Sequence, residues 1–112
     1  MLIYKILRAP EWEDLQANGI TVGAPVDIKD GFIHFSTAAQ AGETAARHFQ
    51  AAEGLMLVAV DAEKLGTELK WEPSRGGALF PHLYRTLALS DVVWYKPLPL
   101  GPNGHVFPKD MP

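Results

Sequence analysis

The apolar run "LMLVAV", residues 55–60, constrains the fold more than any other feature of the chain. A continuous apolar run of this length, ended by a polar residue, is typical of a strand that is buried on both faces. Together with the preceding glycine it is the longest apolar stretch in the sequence, and it is far too short to span a bilayer. The run therefore predicts a globular domain built around a central strand.

Further strands are predicted around this central one from β-branched and aromatic residues, in "LIYKIL", "GFIHFS", "ELKWEP" and "DVVWYKP". Two main helices are predicted at roughly 10–18 and 38–51, the second because Thr37 and Gln40 have the spacing of a capping box. Residues 20–30 read as a loop because they are rich in Gly, Pro and Asp. Strands and helices do not alternate strictly, so we expect an α+β fold with a twisted mixed or antiparallel sheet.

The carboxyl-terminal segment has a different composition. From Pro97 onward it carries five prolines and two glycines in sixteen residues. Proline has no backbone donor, so a regular helix or a central strand is excluded there. We expect one α+β domain in residues 1–99, followed by an irregular Pro-rich tail in residues 100–112 with Phe107 as its anchor.

Composition narrows the classes of function. The 112-residue chain has a formal net charge of −3, and its ten basic residues form no run, which argues against a broad nucleic-acid surface. A small pocket that holds one or two phosphates needs only a local arginine, so composition does not exclude such a pocket. Cysteine is absent, which excludes disulfides and thiol nucleophiles, and no signal pattern opens the chain, so we expect a cytoplasmic location. The four histidines have no compact metal-binding spacing, and no metal site is predicted.

The stretch "GFIHFST", residues 31–37, places a histidine inside an apolar run. In a strand, His34 and Ser36 share one face, while Ile33 and Phe35 share the other. The first face suits the wall of a cleft, in which His34 would hydrogen-bond a ligand. The alternative is a histidine on a solvent-facing strand, tied by one hydrogen bond.

The densest polar cluster is "WEPSRGGALFPHLY", residues 71–84. Glu72 could act as a base or bind a ribose hydroxyl, and Arg75 could grip a phosphate at two points. His82 and Tyr84 could orient or stack on a planar ligand. The alternative is an ordered loop with an internal Glu72–Arg75 pair.

The motifs "YKIL", "DGFIHFST", "ARHF" and "WEPSRGGALFPHLY" together resemble a family of small, mostly bacterial proteins called domain of unknown function 952. The resemblance runs from about Ile3 to Pro99. It implies the ADP-ribosyltransferase fold, in which that family is placed, and brings no established activity with it.

A more distant resemblance links "GFIHFSTAAQAGETAARH…LMLVAVDAEKL" to NAD-dependent RNA 2′-phosphotransferases. His34 and Ser36 match the motif of those enzymes, and Arg47 falls near their helix arginine. The resemblance implies a pocket for NAD or a related nucleotide-like ligand. Lys5 is a departure, because such transferases carry a ligand-gripping histidine or arginine on the first strand.

These observations lead to one main hypothesis and two alternatives. The main hypothesis is a nucleotide pocket in which the nicotinamide glycosidic bond could be cleaved, with His34, Glu72 and His82 as catalytic residues. Its ligand-binding residues would be Ser36, Arg47, Trp71, Ser74, Arg75 and Tyr84. One alternative is a non-catalytic pocket for a small metabolite, and the other is an interaction module whose Pro-rich tail docks on a partner. Whether the protein is an enzyme is left open, because a fold does not by itself determine an activity.

Overall fold

The computed structural model describes residues 1–111, and the side chain of Arg75 lies outside this description. The helices are α1 (Ala9–Asn18), α2 (Pro25–Asp30) and α3 (Ala38–His48), with 3₁₀ turns at Ala62–Glu68, Arg75–Gly77 and Leu89–Asp91. The long strands are β1 (Leu2–Leu7), β4 (Leu55–Asp61), β5 (Leu69–Pro73), β6 (Leu79–Leu83) and β8 (Val92–Leu98). The short strands are β2 (Ile20–Thr21), β3 (Ile33–His34), β7 (Leu87–Ala88), β9 (Leu100–Gly101) and β10 (Gly104–His105).

Two three-stranded antiparallel sheets organise the fold. The first has the order β1-β4-β8, and the apolar strand β4 lies at its centre, as expected from the sequence. The second has the order β3-β6-β5 and aligns His34, His82 and Lys70 across its three strands. A single bridge between Tyr4 and Ser36 joins the two sheets through a pair of backbone hydrogen bonds of 2.8 and 2.9 Å.

The core lies on both faces of the first sheet. On one face a cluster of buried side chains brings α1 against β1 and β4 and includes Trp12, Leu15, Val58 and Val60. On the other face α3 packs through its small residues, with Ala45 buried against Leu57 and Ala59. The small residues on this face let α3 approach the sheet closely.

The expected α+β class is confirmed, while several boundaries differ from the sequence prediction. Residues 20–30 are not a plain loop, since they contain β2 and α2. The strands predicted at "YKIL", "FIHF", "LMLVAV" and "VVWY" were expected in one sheet, but β3, which is only two residues long, belongs to the second sheet. Helix α3 ends at His48 rather than at residue 51.

The Pro-rich tail is more ordered than its composition indicates. Strands β9 and β10 form a small antiparallel hairpin. Behind this hairpin, His105 Nε2 lies 2.7 Å from the carbonyl oxygen of Ala52. Phe107, the expected anchor, packs against the core cluster on the α3 face of the first sheet, and so does Met111. None of the helices within residues 1–111 is long and apolar enough to cross a membrane.

Candidate ligand-binding site

A cavity of about 510 Å³ opens beside α3, between β1, β3 and β6. Its walls are mainly aromatic and aliphatic. The rings come from Tyr4, Phe35, Phe49 and Phe80. The polar groups on the wall include Lys5, Arg8, Asp30, His34, Ser36 and His82. Small-molecule sites in proteins have this size and this combination of apolar walls with a few converging polar groups.

The Tyr4–Ser36 bridge positions the polar end of the cavity. It fixes β1 beside the segment that follows β3, so that Lys5 approaches the end of β3. Helix α2 then covers this junction and brings Asp27 between the two strands. The Lys5 Nζ and Asp27 Oδ2 atoms are 2.7 Å apart, and both side chains are almost fully buried.

Asp27 is the centre of this polar end, because its carboxylate accepts four hydrogen bonds. Oδ2 accepts from Lys5 Nζ and from the backbone N–H of Ala24 at 2.7 Å. Oδ1 accepts from the backbone N–H of His34 at 3.0 Å and from His34 Nδ1 at 2.6 Å. A buried carboxylate with four donors has its hydrogen-bonding capacity met within the protein.

The pKa of Asp27 reflects these contacts. Burial alone would raise it, but the hydrogen bonds from His34 and the charge of Lys5 outweigh burial and lower the pKa of Asp27 to about 2. Burial lowers the pKa of Lys5 below its ordinary value, and the Asp27 charge opposes that effect. The four donors around Asp27 stabilise its ionised form, which in turn stabilises the charge of Lys5.

His34 has carboxylates on both sides of its ring. Its Nδ1 contacts Asp27, and its Nε2 lies 3.0 Å from Asp30 Oδ2. A carboxylate oxygen only accepts, so both contacts are hydrogen bonds when both nitrogens carry a proton. A hydrogen bond from His34 to a ligand would therefore have to replace one of these two.

His82 has a different arrangement. Its Nδ1 lies 2.7 Å from Glu72 Oε1, which also accepts a 2.7 Å hydrogen bond from the Tyr84 hydroxyl. These two hydrogen bonds lower the pKa of Glu72, and the bond to Glu72 raises the pKa of Tyr84. None of the described side chains or backbone groups makes a hydrogen bond to Nε2 of His82.

Ring packing holds the two histidines together. Phe32 stacks on His82 with ring centroids 4.2 Å apart and also contacts His34 at 4.5 Å. The two imidazoles meet edge to face at 5.4 Å. This packing restricts the rotation of both rings, so the orientation of each nitrogen is set before any ligand binds.

Ser36 lies at the end of a short chain of hydroxyl groups. Thr44 Oγ1 donates to the Gln40 carbonyl oxygen at 3.1 Å and lies 2.8 Å from Ser36 Oγ. Either hydroxyl can be the donor in the second contact. The remaining lone pairs of Ser36 Oγ can accept from a ligand in the cavity.

The structure brings some of the predicted site residues together and separates others. His34, Ser36, Ser74 and His82 line the cavity, and Glu72 and Tyr84 lie directly behind His82. Trp71 alternates with Glu72 along β5, which places it on the other face of that strand. These positions do not test the predicted roles.

The two predicted arginines differ from this group. Arg47 is exposed on α3, where its Nε donates to Glu43 at 3.0 Å, and it is not part of the cavity wall. The side chain of Arg75, predicted to hold an anion, lies outside the described residues. Its backbone opens the 3₁₀ turn Arg75–Gly77, directly after Ser74.

Sequence reasoning missed four charged groups of the site: Lys5, Arg8, Asp27 and Asp30. Lys5 carried a usable signal, because a charge in the apolar strand "LIYKIL" must find a partner when it is buried. Arg8 lies at the cavity rim, with its guanidinium 4.6 Å from the centre of the Phe49 ring. Nothing in the local sequence points from Asp27 to Lys5, since they meet only through the fold.

Within residues 1–111, no cluster of three or more His, Cys, Asp or Glu side chains could hold a metal ion. The fold and the cavity thus define a small α+β protein with a preformed aromatic pocket whose polar end is a buried network of charges. Its family follows from comparison with other proteins. The model of the family described as "Protein of unknown function (DUF952)" matches residues 6–95, and the chain belongs to this family.

Solved structures agree with this assignment. The crystal structure of protein CC0527 from Caulobacter crescentus is 52% identical to this chain, with a TM-score of 0.90 over 94% of this chain and 92% of that one. The solution NMR structure of the same protein is 53% identical, with a TM-score of 0.83 over 93% and 90% of the two chains. A search of curated proteins finds no significant match. The family resemblance seen in the sequence is confirmed, whereas these comparisons give no support to the ADP-ribosyltransferase resemblance.

Proposed function

We propose that this protein binds a nucleotide-like small molecule in the cavity between α3 and strands β1, β3 and β6. The observation that carries the proposal is the convergence of aromatic rings and polar groups from remote segments on one cavity of about 510 Å³. A cavity of this size encloses a ligand of nucleotide dimensions. NAD is the member of this class that the resemblance to the transferases suggests.

Each part of such a ligand has a counterpart in the wall. A planar base suits the aromatic walls that Phe35 and Phe80 contribute, because stacked or edge-on rings attract each other beyond simple area burial. Hydroxyl groups can be met by Ser36. A phosphate suits the rim at Arg8, whose guanidinium can donate two parallel hydrogen bonds to phosphate oxygens.

The proposal is limited to binding. His34, predicted as catalytic, has both ring nitrogens within 3.0 Å of a carboxylate oxygen. A general base needs a nitrogen that can reach the proton it takes. His82 and Glu72 keep their predicted catalytic roles as a hypothesis, whereas the contacts of His34 indicate that it holds the site together.

Isothermal titration calorimetry with AMP, ADP-ribose, NAD and adenosine tests this proposal. The expected result is saturable binding of the nucleotides to the native protein. In the Arg8→Gln variant we expect AMP to bind about tenfold more weakly and adenosine to bind unchanged, because only AMP carries a phosphate for Arg8.

Lys64→Gln is the charge-matched control, because Lys64 is exposed and lies outside the cavity wall. It should leave both affinities unchanged. Absence of heat with every nucleotide, or an equal loss of AMP affinity in both variants, would contradict the proposal.

A further inference from the structure

The hydrogen bonds of His82 determine which ligands the cavity prefers, an inference that rests on the proposed function. The residue is 4% exposed and lines the cavity. Its Nδ1 faces the Glu72 carboxylate at 2.7 Å, and a carboxylate oxygen can only accept. The proton of the neutral ring is therefore assigned to Nδ1, which leaves Nε2 as an acceptor.

Nε2 lacks a partner inside the protein. No described residue hydrogen-bonds to it, and no fully buried side-chain nitrogen or oxygen of the described residues is without a partner. Nε2 must then keep some access to solvent, and His82 is bounded by the cavity. A ligand that covers Nε2 removes the water around it. Nε2 is then left without a hydrogen bond unless the ligand supplies a donor.

We propose that Nε2 of His82 selects nucleotide ligands whose base carries an N–H donor. Adenine offers its amino group and hypoxanthine its ring N–H, so both satisfy the requirement. A purine base without either group would cover Nε2 and leave it unsatisfied. Phe32, stacked on the ring at 4.2 Å, prevents His82 from turning away from such a ligand.

Glu72 enforces this preference without touching the ligand. The Tyr84 hydroxyl donates to the same Oε1 atom at 2.7 Å, which fixes the carboxylate in place. Removing the acceptor opposite Nδ1 lets the ring carry its proton on either nitrogen, and the preference for a donor weakens. An amide at this position still offers an acceptor oxygen and should preserve the preference.

The experiment compares IMP with purine riboside 5′-monophosphate, which has no N–H on its base, by calorimetry at about pH 8. The native protein is expected to bind IMP about 10- to 100-fold more tightly, since leaving one buried acceptor unsatisfied costs that much. Glu72→Leu should reduce the ratio to within about threefold, and Glu72→Gln should keep it. Glu72 is 36% exposed, so both variants are expected to fold.

Nitrogen-15 NMR of the histidine rings provides a readout that needs no ligand. We expect the Nδ1–H tautomer for His82 in the native protein and in Glu72→Gln, and a mixture of tautomers in Glu72→Leu. Equal affinity for the two nucleotides, or an Nε2–H tautomer in the native protein, overturns this inference alone. Binding of AMP without binding of IMP also overturns this inference alone, whereas absence of binding with every nucleotide overturns the proposed function, and this inference falls with it.

Discussion

Replacing Asp27 by Asn tests whether the buried carboxylate holds the polar end of the cavity together. The substitution keeps the size of the side chain and removes the negative charge between Lys5 and His34. Asparagine can still accept from the backbone N–H of Ala24. The Lys5 ammonium, 2.7 Å from the carboxylate in the native protein, is left buried without a counter-charge.

Two independent magnitudes describe the loss. Removing one partner of a buried ion pair typically costs about 3–5 kcal/mol. The pKa of Asp27 falls from 3.8 to about 2, and at about 1.4 kcal/mol per unit this difference corresponds to about 2 kcal/mol of native-state stabilisation. We expect Asp27→Asn to lower the free energy of unfolding at pH 7 by about 3 kcal/mol, a large part of the total for a domain of this size.

The sign of the pH dependence follows from the direction of the pKa change. A lowered pKa means that the folded state holds its proton less tightly than the unfolded chain. The stabilisation is therefore complete above about pH 4 and is lost as the pH falls from 3.8 towards 2. In Asp27→Asn this component of the acid destabilisation should be absent.

Urea unfolding followed by circular dichroism from pH 7 down to pH 2 measures both effects. Asp110→Asn is the control, because Asp110 is exposed and should change stability by less than about 0.5 kcal/mol. If Asp27→Asn does not fold, the Lys5→Met/Asp27→Asn double variant should be the more stable of the two, because it contains no unpaired buried charge. An Asp27→Asn protein within 1 kcal/mol of the native one, with the same acid profile, would refute this reasoning.

Two further predictions concern packing. Gly23→Ala should destabilise the protein by more than about 2 kcal/mol, because Gly23 has a φ of +101° and an added Cβ would collide with the Asp27 side chain. Gly42→Ala within α3 places its Cβ in open space and should stabilise the protein by about 0.5–1 kcal/mol. Thermal unfolding of both variants measures this contrast, and an equal effect of the two substitutions would contradict it. Phe107→Ala should lower the free energy of unfolding in urea by about 1–2 kcal/mol, because Phe107 is partly buried against the core cluster on the α3 face of the first sheet. A change below about 0.5 kcal/mol would show that the tail is not anchored there.

The elements that were predicted well are those with strong periodic or capping signals. The apolar run of β4 and the capping box of α3 each predict the structure of their own segment. The hydrogen bonds between Thr37 and Gln40 are present in both directions, at 3.1 and 3.3 Å. His34, Ser36 and His82, which are candidate site residues from the sequence, all line the cavity, and their roles stay predictions.

Helix α2 was missed although its signals are local. Pro25 occupies its first turn, Asp27 is its third residue, and Gly31 ends it at a φ of 84°. Proline near the start and glycine just past the end of a segment are the signature of a helix. The high content of Gly, Pro and Asp in this segment favours a loop, whereas the positions of Pro25 and Gly31 mark the two ends of a helix.

The ionic network could not have been predicted from local sequence. Lys5 and Asp27 are separated by α1 and β2, and the Tyr4–Ser36 bridge, which brings β1 beside the segment after β3, joins two different sheets. Hydrophobic periodicity identifies which faces of helices and strands are apolar. It does not identify which charged side chains form a pair where two sheets meet. The tail hairpin is a similar case, because β9 and β10 are two residues each and leave no periodic signal.

The charges at the polar end of the cavity compensate one another. Lys5 carries one positive charge and Asp27 and Asp30 carry two negative ones, and His34 contacts both carboxylates, all at 3.0 Å or less. Even a charged His34 would, together with Lys5, only balance the two carboxylates, so these four side chains give this end of the cavity no net positive charge with which to attract an anion. In the proposed complex, attraction for a phosphate comes from the rim at Arg8 and discrimination between bases comes from Nε2 of His82. This division explains why Arg8→Gln should weaken all phosphate-bearing ligands alike, while Glu72→Leu should change only the choice among them.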